Sequence, residues 1–201
     1  MNSVYFVDKT GLLEELIPIV GPGKRTGSEN GLLAGQGNKY ICITRPRRFG
    51  KTVAANMIAA YFGKGYDGHK IFDGLEIRAC EQFEEHLNQH NVIYITFNEM
   101  PGGCRTYEQY ISRIQKRLLA DLTRAYPDAC IDKKDALWDA FNNIYELEEE
   151  VKFIFVLDEW DFIFHRSFAT DQGKKEYIAF LSSLLKDQPF YFTMSRKMWT
   201  M

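Results

Sequence analysis

The chain has 201 residues, with 25 lysines and arginines against 27 aspartates and glutamates, so its formal net charge at pH 7 is -2. Hydrophobic residues make up 45% and charged residues 26%, which are ordinary values for a globular protein and exclude collagen-like and disordered chains. The near-neutral charge argues against broad binding to nucleic-acid backbones. At this length we expect a single domain over residues 1–201.

Cysteine usage and the first residues indicate the compartment. Cys42, Cys80, Cys104 and Cys130 are far apart and form no Cys-x-x-Cys pair, so we expect neither a disulfide framework nor a zinc ribbon. The chain starts without the basic and apolar pattern of a secretory signal, and it has no apolar run of about 18 residues. The expectation is a soluble, cytoplasmic protein.

Apolar periodicity and turn residues predict alternating helices and strands. In chain order we expect a helix over 8–19, a loop over 21–38, a strand over 39–45, a helix over 51–62, an extended piece over 71–77, a helix over 81–90, a strand over 92–100, helices over 107–126 and 133–150, a strand over 151–161, a helix over 174–187 and a strand over 189–194. Such alternation predicts a parallel α/β sheet.

Two further predictions concern the ends of the first helix and the burial of the first strand. For the first helix we expect Asp8 or Thr10 as the N-cap, and an end at Pro18 and Gly21. The uninterrupted apolar run of residues 39–45 is typical of a parallel strand that is buried on both faces.

A phosphate-binding sequence, Phe49-Gly50-Lys51-Thr52, lies between a predicted strand and a predicted helix. Backbone N–H groups at such a junction can surround phosphate oxygens, and the helix N-terminus adds partial positive charge. Lys51 would reach the β- and γ-phosphates, and the Thr52 hydroxyl would hold Mg²⁺. The strict motif G-x-x-x-x-G-K-[ST] is not met, because Arg45 stands at the first glycine position.

The third predicted strand ends in three carboxylates, Asp158, Glu159 and Asp161. In phosphate-loop enzymes an aspartate at this place holds Mg²⁺, and an adjacent glutamate can act as the general base for water. Both groups of residues lie at carboxyl ends of strands, where open α/β sheets bind ligands. The alternative is that the carboxylates cap the next helix or face solvent. Together with Gly-Lys-Thr they predict nucleotide binding.

Several segments carry a resemblance to a known family. They are YFVDKTGLLEELI (5–17), ITRPRRFGKT (43–52), IFDGLEI (71–77), VIYITFN (92–98) and VLDEWD (156–161). The chain resembles the AAA-ATPase-like domain family, bacterial phosphate-loop proteins whose longer members often add a C-terminal PD-(D/E)xK nuclease-like domain. The resemblance spans about residues 4–189, and the arginine at the first glycine position is typical of that family.

The resemblance implies a three-layer phosphate-loop fold of the additional-strand type, with a mostly parallel sheet in the order 5-1-4-3-2. Only four strands are readable, so we expect a C-terminally incomplete fold in which the strand 39–45 is an open edge. We expect an N-terminal helix segment (1–20), a glycine-rich loop (21–38) and a nucleotide-binding core (39–201), without the nuclease-like domain.

The resemblance also implies the roles of individual residues. The nucleotide would contact Arg45, Pro46, Arg47, Arg48, Phe49, Gly50, Lys51 and Thr52. For Arg47 and Arg48 the alternatives are the acidic surface of a partner or a solvated loop. Mg²⁺ would be held by Thr52 and Asp158, and the catalytic residues would be Lys51 and Glu159. Asp161 matches a family position without an assigned role. From its place ahead of the first strand, we expect the FVDKT segment (6–10) either to lie near the base or ribose or to pack the N-terminal helix on the sheet.

The expected function is ATP binding with Mg²⁺-dependent hydrolysis, and ATP rather than GTP rests on the resemblance alone. The alternatives are a non-hydrolysing switch read by a protein partner or by self-association, an inactive truncated remnant, and a small-molecule kinase. No direct nucleic-acid or membrane signal is present. His86 and His90 have the spacing of a metal-binding pair on a helix, but no third ligand follows from the sequence.

Overall fold

A computed structural model describes residues 7–21, 40–45, 49–99, 103–148, 151–166, 170–186 and 191–197. Most of the predicted loop over 21–38 lies outside these ranges, as do Pro46, Arg47 and Arg48. Within the ranges, no helix is both long enough and apolar enough to cross a membrane.

Helices and strands alternate along the chain, as predicted. They are α1 Gly11–Val20, β1 Tyr40–Arg45, α2 Lys51–Phe62, α3 Gly68–Phe72, α4 Phe83–His86, β2 Asn91–Thr96, α5 Tyr107–Ala125, α6 Leu137–Leu147, β3 Phe153–Asp158, α7 Asp171–Lys186 and β4 Tyr191–Lys197. Short 3₁₀ turns lie at Glu76–Ala79, Phe97–Glu99, Pro127–Ala129 and Phe162–His165.

The four strands form one sheet in the order β1-β4-β3-β2. Strand β4 pairs in parallel with both β1 and β3, so the carboxyl ends of β1 and β3 lie at the same edge of the sheet. The order agrees with the 1-4-3-2 part of the expected arrangement, and β1 is an edge strand among those described. The α/β class with a parallel sheet is confirmed.

Burial differs between the strands according to their place in the sheet. Every residue of β3 is buried; the strand lies between β4 and β2 in the sheet, and α2 contacts it. In β1, Ile41 and Ile43 pack on the hydrophobic core, but Tyr40 and Cys42 on the other face are exposed. The prediction that β1 is buried on both faces was therefore wrong, because only the face with Ile41 and Ile43 packs on the core.

The chain divides into two compact units. The first comprises Met1–Ile95, Lys152–Asp158 and Phe190–Met201, and α2 contacts β1 and β3 within it. Its core includes Leu13, Leu16, Ile17, Ile58, Tyr61, Phe62, Phe72, Phe83 and Val156. The expectation of a single domain is not tested by this division and stays a prediction.

The second unit comprises Thr96–Val151 and Glu159–Pro189. It contains the amphipathic helices α5, α6 and α7, and α5 contacts both of the others. Tyr110 and Tyr177 are buried there, and their hydroxyls donate to the carbonyls of Phe97 (3.2 Å) and Trp160 (2.8 Å) respectively. Burial raises the pKa of both phenols, so neither ionises near neutral pH.

Of the two residues expected to end helix α1, Gly21 does so and Pro18 does not. Pro18 lies inside the helix, which ends only at Gly21 (φ 78°), whose N–H donates to the Ile17 carbonyl over 3.3 Å. Proline in the last turn removes a single N–H bond, and the buried face of α1 holds the helix in place. Thr10 is the N-cap residue, but its side chain makes no capping hydrogen bond.

The region between α2 and β2 was predicted wrongly. Residues 71–77 are not extended, because α3 and the first residues of the 3₁₀ turn occupy most of them. The helix predicted over 81–90 is reduced to the single turn α4. It cannot continue, because Asn88 adopts the left-handed conformation (φ 55°) and His90 forms a strand-like bridge with Gly63.

Asn88 links the C-terminal end of α2 to the following loop. Its side-chain amide donates to the carbonyls of Ala60 (2.8 Å) and Gly63 (2.7 Å). Its side-chain oxygen accepts from the Gly68 N–H (2.9 Å), and its own N–H donates to the Tyr61 carbonyl (2.7 Å). One side chain thus satisfies carbonyls that a helix end leaves unpaired.

The other elements have the predicted type with different ends. The bounds of α2 are those predicted, and α5 differs by one residue. Strands β2 and β3 end earlier than predicted, α6 is shorter at both ends, and α7 and β4 begin or end a few residues away from their predicted limits.

Candidate functional site

The junction before α2, Gly50–Thr52, is the predicted phosphate-binding turn. Gly50 is in the left-handed region (φ 78°, ψ 32°), and α2 begins at the next residue, Lys51. Glycine is favoured there because other residues pay a steric cost at positive φ. The first N–H groups of a helix have no partner within it and carry partial positive charge. The junction therefore presents donors suited to an anion.

The predicted nucleotide contacts are brought together only in part. Phe49, Gly50, Lys51 and Thr52 lie at the start of α2, where Phe49 is 58% exposed, Lys51 is half-buried and Thr52 is exposed. Arg45 is the last residue of β1. Pro46, Arg47 and Arg48 are outside the described residues, and their predicted contacts stay predictions.

Asp158 is the last residue of β3 and only 1% exposed. Neither of its carboxylate oxygens has a hydrogen-bond partner within the ranges described. Parallel register places Cys42, Met194 and Leu157 in one row, and Asp158 lies one residue beyond it. Asp158 is therefore two strands away from β1, or about 10 Å. It lies at the same end of the sheet as the carboxyl end of β1.

A buried carboxylate without a partner is costly, and a cation offsets that cost. Magnesium prefers oxygen ligands and is usually held by one or two protein side chains, with water and phosphate completing its shell. Asp158 fits that requirement. In the described part of the chain, no group of three or more His, Cys, Asp or Glu side chains is arranged to hold a metal. A magnesium ion at Asp158 would therefore need water and phosphate as its other ligands.

A pocket of about 430 Å³ lies between the N-terminal segment and the start of α2. Its apolar lining is Leu12, Ile43, Phe49 and Ala54, and its charged lining is Asp8, Lys9, Glu15, Lys51 and Glu76. Small-molecule sites are typically ~300–1,000 Å³ and combine apolar walls with a few polar groups. The pocket thus has the size and lining of a ligand site.

The N-terminal segment is held in place by Asp8 and Thr10. The Asp8 carboxylate accepts hydrogen bonds from the N–H of Glu76 (2.7 Å) and from the N–H and hydroxyl of Thr10 (both 2.8 Å). These bonds lower the pKa of Asp8, and the bond from the Glu76 N–H has the largest effect. The Thr10 hydroxyl in turn accepts from the Ile77 N–H (3.1 Å).

Lys9, between these two residues, reaches the phosphate-binding turn. Its Nζ donates to the Phe49 carbonyl over 3.0 Å. A Cβ on Gly50 would come within 3.3 Å of the same ammonium group. Sequence reasoning placed the FVDKT segment near the site without identifying this contact. The FVDKT motif pointed to this segment, but no local pattern links Lys9 with Phe49, because the two residues are 40 positions apart.

Glu159 and Asp161 belong to the second unit. Glu159 is in the left-handed region (φ 54°), which is uncommon for a residue with a side chain and costs about 1 kcal/mol or more. Asp161 is buried, and its Oδ1 has no hydrogen-bond partner among the described atoms. The alternative that the carboxylates face solvent is therefore wrong for Asp158 and Asp161.

His86 and His90 form a stacked pair rather than a helical one. His86 Nδ1 and His90 Nε2 are 3.0 Å apart, and His86 is 1% exposed. A hydrogen bond between two imidazoles needs one N–H and one unprotonated nitrogen, so at least one ring is neutral. Burial lowers the pKa of His86; burial, together with nearby positive charges, lowers that of His90 to about 4.

This pair predicts acid-sensitive stability. Between pH 6.5 and about 4 the unfolded chain binds more protons than the folded one, so the free energy of unfolding falls as the pH falls. For His90 alone we expect a loss of about 2 kcal/mol between pH 8 and pH 5. Urea unfolding of the wild type and of His90→Gln at the two pH values measures it.

The His90→Gln variant should lose less stability over this interval than the wild type. His69→Gln is the matched control, because His69 is exposed in the same unit. Equal losses in the wild type and in His90→Gln would contradict the assignment.

The comparisons with known proteins identify a family for the chain. A sequence model of the AAA-ATPase-like family, described as "Predicted AAA-ATPase", matches residues 32–193. No curated protein and no solved structure matches the chain significantly. The family match spans β1, the Gly50–Thr52 turn and the Asp158–Glu159 pair. The chain therefore belongs to the AAA-ATPase-like family.

Proposed function

We propose that the chain binds Mg-ATP at the start of α2 and hydrolyses it. The observation that carries the proposal is Asp158, a buried carboxylate without a described hydrogen-bond partner at the carboxyl end of β3. It lies in the same unit as the Gly50–Thr52 turn, at the sheet edge where β1 ends. Family membership supports the same function.

Phosphate binding falls to the turn and to Lys51. The N–H groups of Gly50, Lys51 and Thr52 supply donors at the positive end of the α2 dipole. The Lys51 ammonium group neutralises charge on the β- and γ-phosphates. Arg45 to Phe49 complete the loop around the phosphates, as the family resemblance implies. We infer the three-layer, additional-strand fold on the same grounds.

Thr52 and Asp158 would hold Mg²⁺ in this scheme. When bound, Mg²⁺ supplies neutralisation of the charge that develops on the phosphate oxygens. By analogy with phosphate loops, the Thr52 hydroxyl would be a ligand of the ion, and the Asp158 carboxylate would bind it directly or through water. A hard cation beside Asp158 also offsets the free-energy cost of its burial.

Glu159 is proposed as the general base. It follows Asp158 directly in the chain, and its left-handed backbone marks a sharp change of direction after β3. Strained backbone of this kind is concentrated at functional positions, where it directs a side chain. The Glu159 carboxylate would take a proton from the attacking water as the water oxygen bonds to the γ-phosphorus. The bond between that phosphorus and the β–γ bridging oxygen would break, which releases ADP and phosphate.

The experiment that tests the proposal is calorimetric titration of the 201-residue chain with Mg-ATP, with Lys51→Ala as the variant. Loss of a charge-assisted contact with phosphate should weaken binding about 10- to 100-fold. Circular dichroism should be unchanged, because Lys51 begins a helix and alanine suits that position.

Lys70→Ala is the matched control, since Lys70 is exposed, lies in the same unit and does not line the pocket. It should bind Mg-ATP as the wild type does. A folded wild-type chain that binds no Mg-ATP, or a Lys51→Ala variant with wild-type affinity, would overturn the proposed function.

A further inference from the structure

Lys9 is the one residue of the described N-terminal segment whose side chain reaches the phosphate-binding turn through a hydrogen bond that the structure records. Its Nζ lies 3.0 Å from the Phe49 carbonyl oxygen. The donor is a cation, so the bond is stronger than one between neutral groups. It acts on the peptide between Phe49 and Gly50, immediately before α2.

The backbone that carries Lys9 is fixed on both sides. Asp8 accepts from the Glu76 N–H, and the buried Thr10 accepts from the Ile77 N–H. Asp8 and Thr10 are also joined to each other by two hydrogen bonds of 2.8 Å. Lys9 therefore extends from a position tied to the 3₁₀ turn Glu76–Ala79, and only its side chain has to be ordered to make the contact.

Peptide planarity transmits this contact to the phosphate-binding groups. In a trans peptide the C=O and the following N–H point in opposite directions, and the described chain contains no cis peptide. When Lys9 holds the Phe49 carbonyl, the Gly50 N–H is directed away from Lys9. Gly50 tolerates many backbone conformations, so an external contact is needed to select one of them.

We propose that Lys9 is a positioning residue for nucleotide binding, which orients the Phe49–Gly50 peptide so that the Gly50 N–H faces the phosphates. The proposal rests on the proposed function and extends it to a residue outside the phosphate loop. The ligand is a nucleoside di- or triphosphate with Mg²⁺, and Lys9 acts through the backbone rather than by contact with the terminal phosphate.

The test is Lys9→Met, which keeps the length of the side chain and removes the donor. Calorimetry with Mg-ADP and with Mg-ATP should show the same loss of affinity, roughly three- to tenfold, because the whole turn is affected. Lys9→Arg keeps a cationic donor and should restore affinity to near that of the wild type. Lys70→Met, exposed in the same unit, should have no effect.

A second measurement separates positioning from general stability. The amide resonance of Gly50 in the nucleotide-free protein should shift in Lys9→Met and return towards its wild-type position in Lys9→Arg. The thermal midpoint should change little, because the contact is exposed and separate from the buried core.

Three outcomes would overturn the inference. Wild-type affinity of Lys9→Met for Mg-ADP and Mg-ATP would show that Lys9 has no role in nucleotide binding. A loss confined to Mg-ATP indicates direct contact with the terminal phosphate, and an unmoved Gly50 resonance removes the backbone mechanism. A wild-type chain that binds neither nucleotide instead refutes the proposed function, and the inference fails with it.

Discussion

Replacing Glu159 with glutamine is expected to lower ATP turnover by about 10²- to 10⁴-fold and to leave Mg-ATP affinity within about threefold. The amide cannot accept the proton of the attacking water, but it has nearly the same size and leaves the phosphate-binding turn intact. Glutamine at positive φ carries about the same backbone cost as glutamate, so the fold should be retained. Phosphate release and calorimetry measure the two quantities.

The control for this variant is Glu146→Gln, an exposed position near the end of α6 in the same unit. It should hydrolyse ATP at the wild-type rate. Equal turnover by Glu159→Gln and the wild type would refute the assignment of the base. A wild type that binds Mg-ATP without turnover would support the alternative function, a non-hydrolysing nucleotide-dependent switch.

Replacing Asp158 with asparagine should change stability and function in opposite directions. Without Mg²⁺ the variant should be more stable than the wild type by about 1 to 3 kcal/mol, because a buried carboxylate without a described partner becomes a neutral amide of the same shape. Its affinity for nucleotide in the presence of Mg²⁺ should fall about tenfold or more.

Urea unfolding without Mg²⁺ and calorimetry with Mg-ATP give the two results for Asp158→Asn. Asp73→Asn is the control, because Asp73 is exposed in the same unit. A less stable variant would mean that Asp158 has a structural partner. Unchanged affinity for Mg-ATP would mean that Asp158 takes no part in holding Mg²⁺.

Sequence patterns were sufficient where a local signal decides the structure. Helix α2 has its predicted bounds because Gly50 and Gly63 mark its ends. Strand β3 was recognised because an unbroken apolar run suits a central strand, and all of it is buried. The order of the sheet came from the family resemblance, and the observed order agrees with it.

Prediction failed where contacts distant in sequence decide the structure. The run of residues 81–90 has helical periodicity, but Asn88 forms its hydrogen bonds with the end of α2 and stops the helix. The apolar runs of β1 and β3 are alike, but one face of β1 is exposed whereas β3 is buried throughout. This difference arises only in the folded sheet. The Lys9–Phe49 contact depends on the fold in the same way.

The Asn88 contacts have a consequence for how the first unit responds to a ligand. Helix α2 carries the phosphate-binding turn at one end and the Asn88 hydrogen bonds at the other, 12 residues away. Sliding or rotating the helix about its axis would break these bonds together and disturb the buried Tyr61 and Phe62. The far end of α2 thus acts as an anchor. We therefore expect that little of the binding free energy of a ligand at the turn would be needed to fix the helix.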